Sequence, residues 1–203
     1  MINLLIAEDQ AMLLTTLAAL LDLEEDINVI HQSKNGEDAL SFLTNKENPI
    51  IDILLTDIEM PKLTGIELVQ EIQKRDLKTK TIILTTFSRS GYLRRAMDAG
   101  VKGYLLKDSP SEELLNAIRH IAQGGKSIAA ELMQDAWMEL DPLTEKERQA
   151  LRLAKDGDTT EQIAKKLHLS SGTVRNYLSS AASKLNAKNR IEAARTAHQN
   201  GWL

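Results

Sequence analysis

The sequence predicts an α/β domain built on a five-stranded, parallel, doubly wound sheet, followed by an all-α domain with a helix-turn-helix. Three observations carry this reading. Short apolar runs alternate with amphipathic segments over residues 3–123. The alternation stops after "QGGKS", and from Thr144 onward the pattern is helical throughout. The charge also changes sign: residues 143–203 hold 11 Lys+Arg against 6 Asp+Glu, a net of +5, and residues 1–142 hold 14 against 23, a net of −9.

The runs "NLLIA", "INVI", "DILLT", "TIILT" and "GYLL" are short, continuous and rich in Ile and Leu, as parallel strands covered on both faces must be. Helical patterns fall between and after them, over residues 10–22, 36–44, 64–75, 90–98 and 110–123. Five β-α units in series call for a parallel sheet with helices on both sides. In the first helix Leu13, Leu14, Leu17, Leu20 and Leu21 form a stripe wider than one sheet contact requires. The fifth is expected to start with Ser109 as its cap, Pro110 in the first helical position and Glu112 completing a capping box. Its buried stripe is Leu114, Leu115, Ile118, Ile121 and Ala122.

These patterns set the expected domains at residues 1–123 and 143–203, joined by a linker over 124–142 in which "IAAELMQDAWME" reads as a helix. Two further capping boxes, Thr144 to Glu147 and Thr159 to Gln162, open helices of the second domain. There is no cysteine, which excludes a disulfide framework, a thiolate metal site and thiol redox sensing. The opening "MINLLIAEDQ" carries acids where a secretory signal carries basic residues, and no apolar run approaches a membrane span. A cytoplasmic protein is expected.

Ligands of a doubly wound sheet bind outside the carboxyl ends of its strands. There the sequence puts Glu8 and Asp9 after the first strand, Asp57 after the third, Thr85 and Thr86 at the fourth, and Lys107 after the fifth. Acids at strand ends are common as helix caps, and a lone threonine or lysine means little. Their joint placement at four strand ends points instead to an all-oxygen site for Mg²⁺, with Lys107 suited to a phosphoryl group.

The segments "LLIAEDQ", "LLTDIEMP", "IILTTF" and "KGYLLKDSPSEEL" resemble the receiver domain of bacterial response regulators, spread over about 120 residues. The resemblance implies a flavodoxin/CheY-like fold, with Asp57 as phosphoacceptor and Glu8, Asp9, Asp57 and Glu59 as the metal site, Glu59 through its backbone carbonyl. It implies Thr85 as switch hydroxyl, Tyr104 as the aromatic that changes rotamer and Lys107 as the phosphoryl-binding lysine. Many receivers follow that lysine with a cis proline. Asp108 stands here, which leaves the isomer of Lys107-Asp108 open.

In the basic half, "TTEQIAKKLHLSSGTVRNYLSSAASKL" pairs a short helix over 160–167 with a turn and a longer helix starting near Ser171. Val174, Leu178, Ala181 and Leu185 form its apolar stripe; Arg175, Asn176, Ser179 and Ser183 lie opposite. Arg and Asn can bind guanine and adenine bidentately, so this face has the chemistry of a DNA reader. Residues 143–200 also resemble the LuxR-type DNA-binding domain. That resemblance implies Arg175, Asn176 and Ser179 in the major groove, Thr160, Thr173 and Lys184 at phosphates, and a final helix near 189–199 at a dimer interface. The family usually carries a larger aliphatic residue where Ala181 sits. His31, His168, Trp137 and Trp202 read as structural residues.

Together the halves resemble a NarL/FixJ-class response regulator. The implied function is phosphorylation of Asp57 by a histidine kinase with Mg²⁺, driving dimerisation through the first and fifth helices and binding of a double-stranded operator to regulate transcription. "IAEDQ" and "GYLLKDSPSEEL" are similar to a membrane-lipid regulator of that class, implying a membrane histidine kinase and lipid genes as targets. RNA polymerase is the further expected partner, and no enzymatic turnover beyond slow self-dephosphorylation is expected. Two alternatives stand: a constitutive DNA-binding dimer with a non-phosphorylated receiver, and a phosphohydrolase using Asp57. Against the second, Glu59 stands where a second Asp would be required.

Overall fold

The computed structural model describes residues 1–86, 90–129 and 141–203, with the backbone alone at residue 90. The chain divides into two compact units, the first reaching residue 129 and the second continuing from residue 141 among the described residues.

The first unit runs β1 (Ile2–Ala7), α1 (Ala11–Leu21), β2 (Ile27–Ser33), α2 (Gly36–Thr44), β3 (Ile53–Thr56), α3 (Gly65–Lys74), β4 (Lys80–Thr85), α4 (Ser90–Asp98), β5 (Gly103–Leu106), α5 (Ser111–Ala122) and β6 (Ser127–Ile128). The sheet is parallel in the order β2-β1-β3-β4-β5-β6. Successive residues of β1 serve opposite faces, as the strand period of two requires. Leu4 and Ile6 pack with Leu14, Ala18 and Leu21 of α1 and Leu114, Ile118 and Ile121 of α5. Leu5 and Ala7 pack with Ala39 of α2 and Leu68 and Ile72 of α3. With helices on both faces, the strands need apolar residues at every position, and all four residues of β3 are buried.

The five strands read from the sequence are all present, and a sixth extends the sheet. Residues 127 and 128, read as linker, pair with Gly103 and Tyr104 of β5. Ser127 N donates to Lys102 O at 2.9 Å and Ala129 N to Tyr104 O at 3.1 Å, satisfying backbone groups along that edge of β5. A two-residue strand has no periodicity to detect. The start of α5 also differs from the expected capping box: Pro110 is extended at φ −54° and ψ 142° and is itself the N-cap, without a side-chain cap bond. The helix therefore opens one residue later, at Ser111. The described residues contain no cis peptide bond, so Lys107-Asp108 is trans.

The second unit holds α6 (Glu145–Lys155), α7 (Thr160–Leu167), α8 (Ser171–Lys184) and α9 (Arg190–Gln199). The expected capping boxes at Thr144/Glu147 and Thr159/Gln162 are both formed. His168 ends α7 in the left-handed conformation at φ 54°, turning the chain toward Ser170, whose side chain caps α8. Val174, Leu178 and Ala181 of α8 are buried against Ala150 and Leu151 of α6, Ile163 of α7 and Ala193 and Ala197 of α9, with Trp202 in the same cluster. Of the proposed linker helix, Ile128 ends β6 and residues 130 onward lie outside the described residues, as does Trp137. No helix among the described residues is long and apolar enough to cross a membrane.

Candidate acidic site and nucleic-acid interface

The strand order places β1 between β2 and β3, so the connection reverses direction between β1 and β3, where a crevice opens at the carboxyl ends. The register pairs Ala7 with Thr56, which puts the next residues, Glu8 and Asp57, at adjacent strand ends. Asp57 N donates to Ala7 O at 3.0 Å, Glu8 N to Ser33 O at 3.0 Å and Lys107 N to Thr85 O at 2.8 Å. Backbone bonds from the strand ends therefore fix where each of these side chains begins.

Lys107 Nζ lies 2.7 Å from Glu8 Oε2 and 2.9 Å from Asp57 Oδ2. Asp57 Oδ1 accepts from Ile58 N at 2.7 Å, and Glu8 Oε1 from Gln10 N at 3.2 Å. Glu8 and Asp57 are buried, whereas Asp9 is exposed at the rim. Ligand oxygens of these three acids come within 4.8 Å of one another. An all-carboxylate donor set open to solvent on one side suits a hard divalent cation that keeps several waters.

Burial pushes the Asp57 carboxyl up to about 6, and the Lys107 ammonium only partly offsets this. Burial acts to lower Lys107, but hydrogen bonds and charge from Glu8 and Asp57 outweigh it and hold the ammonium above its ordinary range. A cation in the crevice is thus electrostatically favoured on two counts: it faces three acids, and one of them is strained by desolvation.

Gly65 opens α3 directly beneath the site. A Cβ there would sit 1.9 Å from the backbone oxygen of Asp57, so only glycine lets α3 begin this close to the β3 end. Thr85 and Tyr104 are fully buried on β4 and β5, and Glu59 is half-buried in the β3–α3 loop. The structure brings together Glu8, Asp9, Asp57 and Lys107. Phe87, part of the third signature segment, lies outside the described residues.

On α8, Arg175, Asn176 and Ser179 are exposed on the face opposite the buried stripe. Thr173 stands at the helix start, its hydroxyl 2.8 Å from Ser170 Oγ. Thr160, at the start of α7, accepts from Arg190 Nη1 at 3.5 Å. Lys184 is engaged within the domain: its Nζ donates to Glu147 Oε2 at 2.7 Å. Ser180 donates to Glu147 Oε1 at 2.6 Å, and Glu147 is 3% exposed. The sequence marked Glu147 only as a capping residue. Its tertiary partners, 33 and 37 residues away, leave no local signal. Of the two histidines read as structural, His31 stacks on Phe42 at a centroid distance of 4.1 Å, and His168 forms the turn of the α7–α8 pair.

Comparison with known proteins agrees with both halves. Residues 4–119 match the family described as response regulator receiver domain, and residues 141–197 match bacterial regulatory proteins of the luxR family. The chain is 51% identical to the transcriptional regulatory protein DesR of Bacillus subtilis, over all of both chains. It is 49% identical, again over all of both chains, to the uncharacterised transcriptional regulatory protein YvfU of the same organism. Among solved structures, RcsB from Salmonella enterica serovar Typhimurium, bound to promoter rprA in the presence of the phosphomimetic BeF3−, aligns with a TM-score of 0.73 at 25% identity, covering 96% of this chain and 97% of that one. A receiver with an acidic crevice followed by a luxR-type helix-turn-helix makes this chain a member of the NarL/FixJ class of two-component response regulators, which regulate transcription by binding DNA.

Proposed function

We propose that this regulator is switched by phosphorylation of Asp57, and that the switch controls dimerisation and operator binding. The carrying observation is the bridge from Lys107 Nζ to Glu8 and Asp57, which holds a buried carboxylate and an ammonium together at the crevice mouth. An Asp57 oxygen attacks phosphorus on a phosphohistidine of a cognate membrane histidine kinase. The P–N bond breaks and its electron pair leaves with the imidazole. Glu8, Asp9, Asp57 and the Glu59 carbonyl would hold Mg²⁺, which supplies neutralisation of charge on the carboxylate and phosphoryl oxygens. Lys107 moves its ion pair from Asp57 to the new phosphoryl group. Thr85 donates to the phosphoryl oxygens, and Tyr104 fills the space it vacates, a two-state change whose extent is set by how differently the two states hold the phosphoryl group.

The receiver is assigned residues 1–123 together with the edge strand β6, which lies within the expected linker 124–142, and the DNA-binding domain residues 143–203. Phosphorylation promotes a homodimer through α1 and α5. Two copies of α8 then read symmetric half-sites through Arg175, Asn176 and Ser179, with Thr160 and Thr173 along the phosphate-facing margin, while Lys184, expected there as well, is held by Glu147. The protein acts in the cytoplasm as a regulator that meets RNA polymerase, and its only turnover is slow self-dephosphorylation.

Incubation with Mg²⁺ and acetyl phosphate, followed by intact mass and oligomeric state, tests this reading. A one-phosphoryl gain that is absent in Asp57→Ala, together with dimer formation, is the expected result. No gain from either acetyl phosphate or a phosphorylated kinase, with equal DNA affinity for wild type and Asp57→Ala, would replace it with the constitutive dimer. Membrane-lipid genes are the proposed targets, on the strength of the resemblance of "IAEDQ" and "GYLLKDSPSEEL" to a membrane-lipid regulator. Capture of genomic DNA by the phosphorylated protein checks this, and enrichment confined to promoters unrelated to lipid metabolism removes it.

A further inference from the structure

Glu147 occupies an unusual position in the DNA-binding unit. Its carboxylate caps α6, accepting from Thr144 N at 2.7 Å through Oε2. The same oxygen accepts from Lys184 at 2.7 Å, and Oε1 accepts from Ser180 at 2.6 Å. Residues 180 and 184 are one turn apart on α8, so they are neighbours on one helix face. One buried side chain therefore ties the start of α6 to two points on the last turns of α8.

Apolar burial by itself leaves the direction of a helix weakly specified, because the hydrophobic effect is non-directional. Two directed, charge-assisted hydrogen bonds to a carboxylate that is itself anchored do not. The buried Val174, Leu178 and Ala181 and the partly buried Tyr177, Ala182 and Leu185 give α8 apolar contacts only, so the bonds from Ser180 and Lys184 add the directional restraint on its carboxyl-terminal half. Arg175, Asn176 and Ser179 project from the same rigid helix, and bidentate contacts to base edges tolerate little angular error.

We infer that Glu147 is a positioning residue for sequence reading, setting the rotation and pitch of α8 through Ser180 and Lys184. The inference rests on the reading of α8 as the helix that meets the major groove. In this role the Glu147–Lys184 pair acts on specificity more than on total affinity, and Lys184 serves the interface through Glu147.

The test uses the phosphorylated full chain with two probes: a duplex selected from a random-sequence pool by the wild-type protein, and an unselected duplex of the same length. Ser180→Ala, Lys184→Met and Lys184→Arg are compared, with melting temperature and the dependence of affinity on salt measured for each. Positioning predicts that Ser180→Ala and Lys184→Met lower the ratio of selected to unselected affinity at least tenfold. It also predicts an unchanged salt slope, and restoration of most of the ratio by Lys184→Arg, which can still donate to Glu147. A lowered melting temperature with an unchanged ratio would overturn the inference in favour of a purely structural pair. Equal loss on both probes with a slope shallower by about 0.9 would overturn it in favour of a direct phosphate contact by Lys184. A wild-type protein that selects no sequence would instead defeat the reading of α8 itself.

Discussion

Lys107 Nζ sits 2.9 Å from Asp57 Oδ2 while also holding Glu8 at 2.7 Å, so a single ammonium is shared between two buried carboxylates and offsets only part of their charge. Removing one partner of such a cluster leaves charge buried without compensation, which costs on the order of 3 kcal/mol. Lys107→Met is therefore expected to destabilise the receiver by about that amount without divalent metal, and to regain most of it in millimolar Mg²⁺. Denaturant unfolding with and without Mg²⁺ measures both. A loss that Mg²⁺ leaves untouched would show that the lysine supports packing and not charge balance.

Asp57 itself works against stability at neutral pH. Its folded-state value, about 6, lies above the ordinary 3.8, chiefly through burial. Between those values the folded state holds more protons than the unfolded state, so stability falls as pH rises from about 4 to about 6. Asp57→Asn should therefore stabilise the metal-free protein at pH 7, by on the order of 1–3 kcal/mol, and far less at pH 4. Mg²⁺ should raise the wild-type melting temperature more at pH 7 than at pH 5. Equal effects of the substitution at both pH values would mean that Asp57 carries no desolvation strain.

The strands and helices that build this site were legible because parallel strands and amphipathic helices have distinct periods, and strand ends locate the crevice. The second helix matches its pattern residue for residue over 36–44. Elements without a period were not legible. The two residues of β6 and the one-residue shift at Pro110 depend on backbone partners on β5 and in the preceding turn. In the basic half, the Thr144 capping box was readable, but the burial of Glu147 under Ser180 and Lys184 follows from how α6 and α8 cross, which no local spacing encodes. The α1 stripe resolves into buried Leu14 and Leu21 and half-buried Leu13, Leu17 and Leu20.

Glu147 gives the opposite pH signature to Asp57. Burial acts to raise its carboxyl, but hydrogen bonds from Lys184, Ser180 and Thr144 outweigh it and bring the value from 4.5 to about 2. The stabilisation is complete above the unfolded value near 4.5 and is lost as pH falls from there toward 2. Glu147→Gln should destabilise the DNA-binding unit at pH 7 by on the order of 2–3 kcal/mol, with the difference from wild type shrinking at pH 3. Hydrogen exchange of α6 and α8 amides in the full chain reads this unit separately. A wild-type-to-variant gap that stays constant between pH 7 and pH 3 would exclude the ionic contribution.

The outward side of α1 bears on assembly. The helix carries no charged residue, and Met12, Thr15, Thr16 and Ala19 are exposed beside half-buried Leu13, Leu17 and Leu20. Polar or charged residues normally cover the solvent face of such a helix, and an uncharged face of small and apolar groups suits close approach of a second copy. Ala19 is exposed, so Ala19→Arg puts a charge on this face without entering the receiver core. In a symmetric interface the two introduced arginines would come from both copies, doubling the penalty. The variant should accept a phosphoryl group from acetyl phosphate as wild type does, yet stay monomeric and lose at least tenfold in affinity for a two-half-site operator. Sedimentation of the phosphorylated protein decides it: dimers as abundant as in wild type would move the interface away from α1.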